Sequence, residues 1–176
     1  PYVAPKKYFD LYPFESISIP DLEASKQDLE DVPPMAIQRD SGPRWPFYKG
    51  EKITIDDARK CKQAYFACIS FVDAQIGRIM DALEANKLMD DTLIVVWSDH
   101  GYFLGEKGLW YKRKNFERSL RVPLIIAGGG VNAQIQSCDR PVELLDLYPT
   151  IVDHTGYEVP SVLEGESLVP LMNDPS

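Results

Sequence analysis

Residues Ser98-Asp99-His100-Gly101 set a carboxylate and an imidazole side by side, directly after the apolar run Thr92–Trp97. Such a pair can share a metal ion, and ligands of open α/β sheets collect at the carboxyl ends of strands. The glycine that follows permits a sharp turn. The same four residues can also form a turn in which Asp99 caps a loop and His100 packs. A second candidate is Gly128-Gly129-Gly130, which follows the apolar run Val122–Ala127. Triple glycine can cradle a phosphate, but this one lacks the spacing and the trailing Lys-Ser/Thr of a P-loop, so a turn is expected. Cys61, Cys68 and Cys138 form no Cys-x-x-Cys pair, which argues against a zinc ribbon or a redox motif.

These residues need elements to position them. Thr54, with Asp57 three residues on, reads as a capped helix start. Ala58, Cys61, Ala64, Tyr65, Cys68, Phe71, Val72, Ile76, Ile79, Met80 and Leu83 then recur at spacings of three and four, predicting a long helix with a buried stripe, ending near residues 85–87. Cys61 and Cys68 lie two turns apart on it, a rise of about 10.5 Å, beyond the roughly 7 Å that a disulfide tolerates. Asp73 and Gln75 fall within the same helix, and a structural acid is expected at Asp73. Thr92–Trp97 and Val122–Ala127 predict two strands, the first suited to the middle of a two-sided sheet. Residues 99–121 between them read as loop. A further helix is expected from Pro141 or Val142, broken or kinked at Pro149, with Gly156 as its C′ residue and His154 structural near its end. Gly165–Met172 reads as a short closing segment.

Residues 1–50 are punctuated by Pro5, Pro13, Pro20, Pro33, Pro34, Pro43 and Pro46, too often for long helices or central strands. Lys6–Leu11 can make one helical turn, and the acidic stretch Asp21–Asp31 reads as extended chain. Tyr2, Tyr8, Phe9, Tyr12, Phe14, Trp45, Phe47 and Tyr48 are expected to pin this segment to a core. The expected organisation is a loop-rich segment, 1–52, wrapping a body formed by 53–176.

Composition bounds the function. The chain has 176 residues, 44% hydrophobic and 26% charged, enough for a sizeable core. Its net charge of −8, from 27 acids against 19 bases, supplies no global basic field for nucleic acid. No apolar run reaches the ~18 residues that span a bilayer. Neither a nucleic-acid nor a membrane partner is expected.

Several ordered motifs carry a family resemblance. Ser98-Asp99-His100-Gly101-Tyr102, Leu104-Gly105-Glu106, Gly108, Trp110, Lys112, Asn115-Phe116-Glu117 and Arg121-Val122-Pro123-Leu124 resemble the second half of a type I sulfatase. The likeness continues in Tyr65–Arg78, Glu143–Ile151 and Gly165–Leu171. The Asp-His pair, with Tyr8–Pro13, is similar to the branch that acts on a uronic acid 2-sulfate. The resemblance implies an α/β fold, part of an alkaline-phosphatase-like sandwich, with a mixed, mostly parallel sheet flanked by helices. It implies a calcium ion held in part by Asp99 and His100, with His100 alternatively contacting the sulfate. It makes Lys112 the lysine that binds and stabilises the sulfate, with Trp110 shaping the substrate pocket or packing in the core. Lys107 stands where many relatives carry histidine, and Arg113 and Lys114 could add positive charge for an anionic sugar.

The same resemblance implies a formylglycine nucleophile from a Cys-x-Pro-x-Arg motif, a context that none of the three cysteines has. The nucleophile and further metal ligands are therefore expected upstream, in an N-terminal half that would be this chain's partner. The chain alone is expected to be inactive. The implied substrate is a sulfated carbohydrate, and the implied location is periplasmic, secreted or lysosomal. A phosphate or phosphonate ester hydrolase of the same superfamily, using zinc or manganese, is the alternative activity; a non-catalytic module is the other.

Overall fold

A computed structural model describes residues 2–37, 53–132 and 137–174. Pro43, Trp45, Pro46, Phe47 and Tyr48 lie outside them. In chain order the elements are α1 (Lys6–Phe9), α2 (Leu22–Gln27), α3 (Pro34–Ile37), α4 (Ile55–Ala85), β1 (Leu93–Trp97), β2 (Phe103–Leu104), β3 (Trp110–Tyr111), α5 (Glu117–Leu120), β4 (Leu124–Gly128), α6 (Leu147–His154) and α7 (Val169–Asn173). The fold is α/β, as expected: β1 pairs with β4, and β2 pairs antiparallel with β3. Two compact units emerge, Pro1–Lys87 with Val96–Ile125, and Leu88–Val95 with Ile126–Ser176.

The first unit is organised by α4. Thr54 caps it reciprocally: its hydroxyl accepts from the Asp57 amide at 3.1 Å, and the Asp57 carboxylate accepts from the Thr54 amide at 3.3 Å. The small residues Ala58, Cys61 and Ala67 are buried on α4, which lets other chain segments approach closely. Leu104 and Trp110 complete the buried cluster with Ala58 and Cys61, and Tyr2, Ile19, Ile53, Tyr65 and Tyr102 pack against it. The stripe expected to be buried along the whole helix is buried only in part. Ile76, Met80 and Leu83 are half-buried, but Val72 and Ile79 are exposed.

The N-terminal aromatics pin their segment as expected. Tyr8 packs on Phe71 and Tyr12 on Phe66, with ring centroids 5.4 and 5.3 Å apart. The Tyr12 hydroxyl lies 2.6 Å from that of Ser70, and Gln63 donates to the Tyr12 carbonyl at 2.7 Å. The region is less extended than its prolines suggest, because α2 and α3 form within it. Pro34 opens α3, where the missing N–H costs nothing and the fixed φ favours the first turn. The reading of 99–121 as plain loop is also corrected: it contains β2, β3 and α5.

In the second unit, Gly128 has φ 78° and a Cβ there would lie 2.3 Å from the Thr92 carbonyl oxygen. The glycine run is thus a close-packed turn. His154 Nε2 lies 2.6 Å from the Gly129 carbonyl, in keeping with a structural histidine. The expected break near Pro149 falls just before it, where a 3-10 turn at Leu144–Asp146 gives way to α6. Gly156, with φ 81°, closes α6: its amide bonds the Asp153 carbonyl and that of Tyr157 bonds Val152, a Schellman arrangement. The Thr150 hydroxyl accepts from the Leu168 amide at 2.8 Å, tying α6 to the residue before α7.

Thr54→Ala should cost about 1 kcal/mol in denaturant unfolding, with Thr54→Ser close to the parent. The Thr54 hydroxyl holds the Asp57 carboxyl below its ordinary value. A depressed folded-state value stabilises at neutral pH and is lost as pH falls through it, so the Thr54→Ala deficit should shrink in acid.

Candidate functional site

β1 delivers the chain to Ser98, and three contacts shape the turn that follows. The Ser98 hydroxyl donates to the His100 carbonyl at 2.8 Å. The Gly101 amide donates to the Ser119 carbonyl at 2.8 Å, docking the turn on α5. A Cβ on Gly101 would lie 1.9 Å from the Arg118 carbonyl oxygen, so only glycine fits.

The β2–β3 hairpin then brings the chain back. Its register pairs Phe103 with Tyr111 and Leu104 with Trp110. Continuing that register sets Lys112 opposite Tyr102, beside the turn. Lys112 Nζ lies 2.8 Å from His100 Nε2, and Asp99 Oδ2 lies 3.1 Å from the same nitrogen. Three residues singled out in the sequence therefore converge within the first unit.

The hydrogen bonds assign the imidazole's proton. His100 Nδ1 lies 2.9 Å from the Gly101 carbonyl, which can only accept, so Nδ1 carries the hydrogen. Nε2 then accepts from the Lys112 ammonium. The Asp99 carboxylate stands beside the same nitrogen, with Oδ2 at 3.1 Å. Two ligands of one cation at about 2.4 Å sit at a similar mutual spacing, so this pair fits one edge of a metal site. Asp99 is the hard oxygen donor that calcium prefers, and the imidazole is the softer one. Among the described residues no group of three or more His, Cys, Asp or Glu forms a metal cage. Two donors alone do not close a metal site.

Other candidates are placed differently. Trp110 is 4% exposed and belongs to the buried cluster against α4. Lys114 is 6% exposed and donates to the Ile37 carbonyl at 2.9 Å, while Arg113 is exposed. Lys107 Nζ lies 2.6 Å from Asp28 Oδ2. Asp73 is exposed on α4. Burial pushes the Cys61 and Cys68 thiols up, keeping both protonated and poor nucleophiles. The same cause raises the phenols of Tyr2, Tyr65 and Tyr102. A groove of about 730 Å³ in this unit is lined by Ile17, Ile19, Ile53, Ile55 and Arg59, among others, but by none of Asp99, His100 and Lys112. Asp28 and Ser119 had no signal in the sequence, since both contacts join residues distant in the chain or use only backbone atoms.

A strand-end turn carrying an acid and an imidazole thus faces a lysine delivered by a hairpin. The family model described as Sulfatase matches residues 20–157. The chain belongs to the sulfatase family, whose members are sulfuric ester hydrolases. It is 40% identical to a sulfatase of Formosa agariphila over 98% of its length, covering 33% of that protein. It is 38% identical to the choline-sulfatase of Rhizobium meliloti, over 98% of this chain and 33% of that one. It is 33% identical to human iduronate 2-sulfatase, over 91% and 34%. The chain thus spans about a third of the length of the curated relatives it matches.

Solved structures agree. A phosphonate monoester hydrolase from Silicibacter pomeroyi superposes with TM-score 0.84 at 28% identity, over 100% of this chain and 35% of that one. BT4656, in complex with its substrate D-glucosamine-2-N,6-O-disulfate, gives TM-score 0.64 at 35% identity, over 68% and 24%.

Gly101→Ala should force the turn off α5 and destabilise by about 3 kcal/mol or more, read by thermal unfolding. A well-folded Gly101→Ala protein with an unchanged midpoint would contradict the packing described.

Proposed function

We propose that this chain supplies the Asp99–His100–Lys112 side of the active site of a sulfatase that hydrolyses a sulfated sugar. The observation that carries the proposal is the convergence of Asp99 and Lys112 on His100 Nε2, within 3.1 Å. A calcium ion, held by Asp99 and His100 and by ligands from an N-terminal part of the enzyme, would polarise the sulfate and stabilise charge on it. The formylglycine nucleophile would come from that same part. Within this chain, Lys112 binds a sulfate oxygen and offsets negative charge that grows in the transition state. His100, oriented by the Gly101 carbonyl, keeps Nε2 aimed at the site. Asp99 presents its carboxylate beside it.

A sugar substrate is supported by the likeness to iduronate 2-sulfatase and to BT4656 bound to a disulfated glucosamine. A uronic acid 2-sulfate is the specific substrate proposed. The choline-sulfatase likeness names a different sulfate ester, so choline sulfate belongs in the assay beside the sugar. Hydrolysis of a phosphonate monoester is the second reading, favoured by the close superposition on the Silicibacter enzyme.

Steady-state assays of the intact enzyme decide among them. Lys112→Ala and Asp99→Asn should each lower kcat/KM for the sulfated sugar by about 100- to 1,000-fold. Chelation should abolish turnover, and calcium should restore it. Restoration by zinc or manganese, with phosphonate the better substrate, would replace the sulfatase reading with the second one.

A further inference from the structure

The segment that presents Lys112 adopts a backbone that ordinary residues resist. Lys107, Tyr111 and Arg113 have φ of 55°, 83° and 70°, all left-handed without being glycine. Such residues cost on the order of 1–3 kcal/mol each and persist only where surrounding contacts over-determine them. Two of the three flank Lys112 directly.

The contacts that over-determine them lie at the two ends of the segment. At one end, Lys107 Nζ reaches Asp28 Oδ2 at 2.6 Å and the Asp28 carbonyl at 3.3 Å, and stands 5.5 Å from the centre of the Phe116 ring. At the other, the buried Lys114 ammonium donates to the Ile37 carbonyl. Both anchors belong to the 21–37 stretch that holds α2 and α3. Leu104, before the clamps, and Trp110, between them, are buried against α4 and pair beside the hairpin's loop, while Lys112 lies two residues beyond Trp110, next to the strained Tyr111 and Arg113.

We infer that Asp28 and Lys107 are positioning residues for Lys112, working with the Lys114–Ile37 tie to hold the strained 105–114 segment in the conformation that sets the Lys112 ammonium on His100. The inference rests on the reading of Lys112 as the sulfate-binding lysine. It also gives Lys107 a role other than substrate contact: its charge is committed to Asp28. An ion pair as exposed as this one contributes little to global stability. Its effect is therefore on geometry, where a misplacement of about 1 Å can cost up to about 100-fold in rate.

The test uses the intact enzyme with Asp28→Ala, Lys107→Ala, the exchanged pair Asp28→Lys with Lys107→Asp, Lys112→Ala, and Lys6→Ala as a control remote from the hairpin. Each is read for kcat, KM, thermal midpoint and, by peptide mass spectrometry, the rate at which N-hydroxysuccinimidyl acetate acetylates Lys112. Asp28→Ala and Lys107→Ala should each lower kcat about 10- to 100-fold with KM little changed and speed acetylation of Lys112, while Lys6→Ala keeps the parent values. The exchanged pair should recover most of both. If Lys112→Ala is inactive while Asp28→Ala keeps kcat within about twofold and the parent acetylation rate, the positioning role is wrong and the functional reading survives. If Lys112→Ala remains active, the functional reading fails, and the acetylation rate alone decides whether the clamp holds Lys112. Should Asp28→Ala not fold, Asp28→Asn, isosteric and uncharged, reads the same quantities.

Discussion

Everything at the site depends on the close approach of Gly101 to α5. With a carbonyl oxygen 1.9 Å from where a Cβ would be, the turn after β1 sits directly on the backbone of Arg118 and Ser119. The amide of Gly101 is satisfied there, by the Ser119 carbonyl. This contact aims His100: its Nδ1 is occupied by the Gly101 carbonyl, so Nε2 is the only ring nitrogen left to face Lys112. A side chain at residue 101 would move the turn, the ring and the Asp99 carboxylate together.

The hairpin solves the complementary problem. Asp99 comes to the ring from the same turn, whereas Lys112 comes from the end of β3, twelve residues on. β2 and β3 are only two residues each, and a hairpin that short is not stable alone. It is held by burying Leu104 and Trp110 against Ala58 and Cys61 of α4. The small side chains of α4 are what make room for the indole. Trp110 thus serves the hairpin through packing.

Much of this was legible in the sequence. The Thr54–Asp57 cap, the two strands flanking the turn, and Gly156 at the close of α6 each follow from local chemistry that their residues state openly. Asp99 and His100 stood out by their place after an apolar run, whereas Lys112 stood out only through the resemblance. What was not legible is instructive. Phe103–Leu104 and Trp110–Tyr111 are too short for alternation to register, and the glycines and lysines between them read as loop. The left-handed residues Lys107, Tyr111 and Arg113 carry no glycine to announce them. The partial exposure of Val72 and Ile79 on α4 was also hidden, since a stripe marks a face without saying how far its cover extends.

The lysines show this limit most clearly. Lys107, Lys112 and Lys114 are chemically identical and lie within one short segment. One pairs with the carboxylate of Asp28, one meets an imidazole, and one is buried against a backbone carbonyl. Burying Lys114 is costly, since an ammonium loses its hydration, so the fold must gain something from it. The ammonium's bond to the Ile37 carbonyl ties down the chain just after Lys112. A lysine that is to meet a sulfate must itself stay accessible, and an accessible lysine on four methylenes is poorly fixed. On the proposed reading, Lys107 and Lys114 fix the chain on either side of Lys112 through their own contacts, and the Lys112 ammonium, 2.8 Å from His100 Nε2, needs no fixing of its own.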